Sequence, residues 1–261
     1  MISDQSVILD YIRDASRLIT NWTGRTFVPY ISATEQVEYN VSPYRVQPLP
    51  DDTLSVTSIK DSSDTTLTAN TDYRLKDIYN NLNGYPYGYF ELSSLSGFSI
   101  SHTSGFDPAW TVNGIFGYSN RPYSDSWQAT TTINADIDDA SATTITVTNN
   151  INIEILSYIR INDEFMQVVD KAGAATLTVK RGVNGSTAVA THSNTDTVDI
   201  WLVDETIQLA ATRLAAWLYS SRQNEFQSLQ FQDGTVASIR YPQIVQQSIR
   251  PYIKPIAMSM H

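Results

Sequence analysis

The chain has 261 residues, enough for one large domain or two ordinary ones, and 41% of them are hydrophobic, ample for a buried core. Seventeen Lys and Arg against 27 Asp and Glu leave a formal net charge of −10; this argues against a nucleic-acid-coating protein, whose affinity rests on neutralising phosphates, and permits a surface that DNA slides past without sticking. Cysteine is absent, which excludes disulfides and thiolate metal sites; no leader peptide is expected, and no membrane association, since no apolar stretch approaches the ~20 residues that span a bilayer.

The first predicted element is an amphipathic helix. Val7, Ile8, Tyr11, Ile12, Ala15, Leu18 and Ile19 recur at three- and four-residue steps, with Arg13 and Arg17 together on the polar face. Ser3 or Asp4 supplies the N-cap, and Gly24 ends the pattern because glycine adopts a left-handed turn cheaply. A β-rich stretch follows. Residues 35–41, 54–59 and 71–75 read as strands, the second of them after the turn-forming Pro50-Asp51-Asp52; residues 89–92 and 98–101 are further candidates. Residues 79–89 form a loop dense in tyrosine and turn formers, best read as a subunit-contact loop. Residues 112–119 read as a strand with two glycines, which mark a bulge or a close backbone approach.

Composition shifts near Thr130 to Ser, Thr, Asn and Ala, and residues 127–202 read as a separate β module. Its predicted parts are a strand at 144–147, a hairpin over 158–169 turning at Asn162-Asp163, and a segment 177–188 turning at Asn184-Gly185. The chain then returns to helix. Asp204 is placed to cap residues 205–219, whose stripe is Ile207, Ala210, Ala211, Leu214, Ala215 and Leu218; the alanines at 210, 211, 215 and 216 allow close approach of the first helix. After a loop with Asp233-Gly234, residues 242–252 form a short last helix, and an apolar tail follows the breaker Pro255.

The run Ala15-Ser16-Arg17…Ile19…Trp22-Thr23-Gly24-Arg25-Thr26-Phe27…Pro29 resembles the opening of the head–tail connector (adaptor) proteins of tailed bacteriophages. So do the order of residues 54–59 and 72–73, the strand Val112-Asn113-Gly114-Ile115-Phe116-Gly117-Tyr118, the alanine-rich helix ending in Leu218-Tyr219, and the closing Pro242…Ile249-Arg250-Pro251-Tyr252. The segment Thr178-Val179-Lys180-Arg181-Gly182-Val183-Asn184-Gly185-Ser186-Thr187-Ala188 through His192 is similar to a small β module of phage neck and tail proteins, and its position suggests an insertion into the connector core. The family motif residues carried over are Trp22, Gly24, Arg25, Phe27 and Pro29. The resemblance implies a C-terminal segment docking on the portal, here Ile253, Lys254, Pro255, Ile256, Met258 and Met260. It further implies a closed homo-oligomeric ring of about twelve copies beneath the portal, extending the DNA channel without specific DNA binding and offering a platform to a further neck or tail-completion protein. The location it implies is the virion neck, reached from the host cytoplasm during assembly.

No catalytic constellation emerges. His102, His192 and His261 lie far apart without partner motifs. Asp136, Asp138 and Asp139 lack the glycine and terminal Glu of a calcium loop and read as a solvated turn. Asp163 and Glu164 are adjacent, and neighbours on a strand point to opposite faces. There is no Gly-x-x-x-x-Gly-Lys loop, and neither enzyme activity nor a cofactor is expected. The architecture expected is α+β: a helical bundle of N- and C-terminal helices, packed through Ile12, Ala15, Ile19, Ala211, Leu214, Ala215 and Leu218, with a β-rich middle and an inserted small β domain. The expected domains are residues 1–126, 127–202 and 203–261. A second reading is a phage tail accessory protein that binds a receptor or glycan through its β module.

Overall fold

A computed structural model of the chain describes residues 4–37, 46–61, 64–77, 86–94, 110–222 and 241–254. The predicted strand at 98–101 and the loop at Asp233-Gly234 lie outside them, as do residues 38–41 and 79–85. The chain divides into two compact units, one uniting its two ends (residues 1–27 and 203–261) and the other holding residues 28–202.

In the second unit, β1 (Tyr30–Val37), β2 (Val46–Asp61), β3 (Tyr73–Asp77), β4 (Tyr87–Leu92) and β5 (Trp110–Phe116) form an antiparallel sheet of order β1-β5-β2-β4-β3. The alternation that makes a strand is clear in β5, where Trp110, Val112, Gly114 and Phe116 are buried and the residues between are not. Trp110, Val112 and Phe116 join Leu49, Ile59, Tyr73 and Phe90 in one core. Trp110 enters it without an orphaned donor, since its Nε1 donates to the buried Gln47 Oε1 at 3.1 Å. Gly114 sits on the buried face because a Cβ there would lie 2.2 Å from the Ser55 carbonyl oxygen.

The same unit holds β6 (Trp127–Thr132), β7 (Thr144–Thr146), β8 (Tyr158–Ile161), β9 (Glu164–Ala172), β10 (Thr176–Lys180) and β11 (Thr197–Trp201), in the order β6-β11-β8-β9-β10-β7. The outer strands meet. Just beyond them Ile133 bridges Val147, the Thr148 N–H donates to the Thr132 carbonyl at 2.9 Å, and the Asn134 N–H donates to the Thr146 carbonyl at 2.9 Å. The sheet is therefore a small barrel filled by Ile133, Ile145, Ile159, Ile161, Met166, Val168, Leu177, Val179 and Val198, among others. Asn162, at φ 54°, turns the β8–β9 hairpin as its composition predicts.

The expected helical-bundle architecture is corrected. Among the described residues the protein is mostly β, 39% strand against 25% helix, and the described helices do not form a bundle. Those described are α1 (Asp4–Thr23), α2 (Glu205–Ser221) and the seven-residue α3 (Gln243–Ile249). The physical reason is the width of their apolar stripes. Ala15 and Ile19 are the buried apolar residues of α1, and Ile207, Ala210, Leu214 and Ala215 those of α2. Ile8 is 42% and Leu209 49% exposed. Such stripes make pairwise seams with neighbouring helices rather than the wall of a central core. The seams are α1 on α2 and α2 on α3, while both large apolar cores belong to sheets.

Gly114→Ala and Gly173→Ala separate crowding from backbone strain. Nothing lies within 4 Å of a Cβ at Gly173, whose φ is +59°, so that change costs about 1 kcal/mol. Gly114→Ala forces the β2–β5 pair apart and costs about 3 kcal/mol or more. Equal denaturation midpoints for the two variants would contradict the β2–β5 packing.

Candidate functional site

Of the residues that carry the connector resemblance, Trp22, Gly24, Arg25 and Phe27 share the terminal unit with α2 and the closing Pro251-Tyr252, while residues 54–59, 72–73 and 112–118 lie in the other unit. α1 stops at Gly24, whose φ of +66° lets its N–H reach back to the Thr20 carbonyl at 2.8 Å. The buried Thr23 hydroxyl donates to the Ile19 carbonyl at 2.8 Å and accepts from the Arg25 N–H at 3.3 Å. Arg25 is 4% exposed, and its Nε donates at 2.6 Å to the carbonyl oxygen of Tyr252, 227 positions away. The buried Phe27 meets the Tyr252 ring edge-on at 6.0 Å. The Lys254 N–H donates to the Thr23 carbonyl at 2.9 Å, and the Lys254 side chain lies over Gly24.

Tyr252 also joins this knot to α2. Its hydroxyl donates to Asp204 Oδ1 at 2.9 Å, the oxygen that accepts the Thr206 N–H at 2.8 Å and caps the helix as predicted. Trp22 packs edge-on against Tyr241 at 4.7 Å, and Tyr241 contacts Trp217 at 5.4 Å. Of the predicted helix-packing residues, Ala15, Ile19, Leu214 and Ala215 are buried, and Ile12, Ala211 and Leu218 half-buried. Of the motif residues, Pro29 belongs to the other unit, where its carbonyl accepts from the Asn184 amide at 2.9 Å. Of the predicted docking tail, Ile253 is 46% exposed and Lys254 is tied to Thr23, while Pro255, Ile256, Met258 and Met260 lie outside the described residues.

A second polar cluster was not read from the sequence. Glu164 and His192 are buried with Arg181 at one end of the barrel. Arg181 Nε and Nη2 donate to the two Glu164 oxygens at 2.6 and 2.7 Å, and His192 Nε2 lies 2.8 Å from Oε2. Burial pushes the Glu164 carboxyl up, but the Arg181 bonds, the Val189 N–H and His192 outweigh it and hold it below the usual range. Phase was the available signal. Glu164 alternates with Met166 and Val168, and Arg181 with Leu177 and Val179, so both charges stand at inward positions. His102 and His261 lie outside the described residues. In the acidic stretch, Asp136 accepts the Asn194 N–H, and Ser141 hydrogen bonds hold the Asp139 carboxyl below its usual range. These are turn-closing contacts.

No protein family, curated protein or solved structure matches the chain.

Tyr252→Phe removes one hydrogen bond and costs about 1 kcal/mol. Asp204→Ala removes that bond and the cap together and costs about 2 kcal/mol. The double variant costs clearly less than the sum in chemical denaturation, because one bond is shared. Strict additivity would show that Tyr252 and Asp204 do not interact.

Proposed function

We propose that this chain is a structural protein of the neck of a tailed bacteriophage, a head–tail connector whose copies form a ring beneath the portal. The ring extends the DNA channel and gives the next neck or tail protein its platform. One observation carries the reading. The Gly24-Arg25-x-Phe27 signature and the closing Pro251-Tyr252 signature lie at opposite ends of the chain, and they are joined by the Arg25–Tyr252 hydrogen bond and the Phe27–Tyr252 ring contact. Two chance resemblances so far apart have no reason to meet. The knot also fixes where the tail departs, at Ile253 and Lys254. The net charge of −10 suits a lumen that passes DNA without holding it. The receptor- or glycan-binding reading is less well supported, because Trp127, Trp201 and Phe165 of the barrel are buried and offer no ring face to a sugar.

Electron microscopy of the purified protein, alone and with portal, tests the assignment. Closed rings seated on the portal are expected, and removal of residues 255–261 abolishes attachment while the subunit stays folded. Duplex DNA binding at physiological salt is weak, since few cations are available to release counterions. A monomer indifferent to portal, or tight salt-sensitive DNA binding, would overturn the proposal.

A further inference from the structure

The Glu164 carboxylate gathers five donors, and all of them lie between residues 181 and 192. Besides Arg181 Nε and Nη2 and the His192 ring, it accepts the Gly182 N–H at 3.1 Å and the Val189 N–H at 2.9 Å. One buried charge therefore fastens both ends of one segment. Arg181 Nη2 adds a bond to the Val189 carbonyl at 2.7 Å, closing the loop on itself. At the near side, Val183 N–H and Ser186 Oγ bond the backbone of Phe165.

The tip of the same segment grips the five-stranded sheet. The Ile31 N–H of β1 donates to the Asn184 carbonyl at 2.8 Å, and the Asn184 amide donates to the Pro29 carbonyl at 2.9 Å. Gly185 packs so closely that a Cβ there would lie 2.1 Å from the Ile31 carbonyl oxygen. Among the described residues β1 is an outer strand of its sheet, and Asn184 covers an edge N–H there. The barrel core includes no residue of the segment: its members run from Ile133 to Val179 and resume at Val198.

We infer that residues 182–191 are a latch over the edge of β1, held shut by the Glu164 carboxylate and released by acid while the barrel stays closed. The charged and titratable groups facing Glu164 are Arg181, just after β10, and His192, just beyond the far end of the latch. Beyond Arg181 lies Asp139, whose backbone carbonyl accepts from Arg181 Nη1. Because the folded carboxyl is held below its ordinary range, the latch has its full strength above that range and loses it as pH falls through the depressed value. Protonation removes the charge that orients Arg181 and turns an acceptor of N–H groups into a donor facing them. Without the Glu164 contacts, the segment keeps only its bonds to the Phe165 backbone on either side of the Asn184-Gly185 tip, and neither of its ends is fixed.

Amide hydrogen exchange on the full chain, corrected for intrinsic rates, reads this directly. At neutral pH the amides of Ile31, Gly182 and Val189 are protected. On acidification below the ordinary glutamate range all three lose at least tenfold protection together, while Val168 and Val179 keep theirs. Glu164→Gln produces that pattern at neutral pH. Asn184→Ala, with the carboxylate intact, keeps the backbone carbonyl but removes the side-chain bond to Pro29 and strains the φ of 54°, so the tip lifts from β1 and Ile31 loses protection while Gly182 and Val189 keep theirs. The inference is overturned if acid deprotects latch and barrel amides in a single step, or if Ile31 keeps its protection when Gly182 and Val189 lose theirs. Should Glu164→Gln fail to fold, the acid titration and Asn184→Ala still decide.

Discussion

The terminal unit depends on the buried guanidinium of Arg25. It bonds the backbone of Tyr252 at 2.6 Å, directly after the glycine that stops α1. Bringing such distant residues together costs loop entropy that grows only slowly with separation, roughly 0.6 kcal/mol per doubling of length. The α1–α2 seam, through Ala15, Ile19, Leu214 and Ala215, offsets that cost. A buried guanidinium without an acceptor would leave several kcal/mol uncompensated, so this contact also selects one geometry for the chain ends. Residues 28–202 leave this closed unit at Phe27 and re-enter it at Val203. Such an arrangement tolerates a large excursion, since the ends are held by each other.

The second unit handles its edges in two ways. The six-stranded sheet removes them by closure, through the Ile133–Val147 bridge and its flanking hydrogen bonds. The five-stranded sheet keeps outer strands, and on β1 the Asn184-Gly185 turn covers part of the exposed backbone. Asn184 at φ 54° and Gly185 at φ 80° give that turn a conformation that β-branched residues adopt only with strain. The mount for the turn combines the ion pair with hydrogen bonds from Val183 and Ser186 to the Phe165 backbone. An ion pair buried with Glu164 fully enclosed contributes little net stability, but loss of one partner is expensive, so it acts on specificity. It also makes the segment responsive to protonation in a way that an aliphatic contact would not be.

Much of the local structure was legible in the sequence, because local signals suffice for it. The α1 stop at Gly24, the Asp204 cap and the Asn162-Asp163 turn are each decided by residues a few positions apart. The fold class was not legible. Helical periodicity over α1 and α2 is strong, yet it says nothing about how many neighbours each stripe serves, and each serves a seam. β2 is longer than the alternation over 54–59 suggests, because it runs through Pro48 and Pro50 with a register shift against β4 between Pro48 and Thr53. β11 was missed because Asp199 interrupts its short pattern. Its partner is Arg160, 39 positions away, whose Nη2 lies 2.6 Å from Asp199 Oδ2. The cluster of Glu164, Arg181 and His192 escaped for the same reason: each residue is unremarkable alone, and only the inward strand phase hints that they meet.

A neck connector and a receptor-binding accessory protein would occupy different places in a virion. The most direct measurement is therefore the position of this chain in intact particles, read by labelling an affinity tag placed at residue 1 and imaging whole virions by electron microscopy. The account predicts label at the vertex where head and tail join, retained on tailless heads that carry the neck. Label at the tail tip or fibres, or its absence from purified particles, would contradict it.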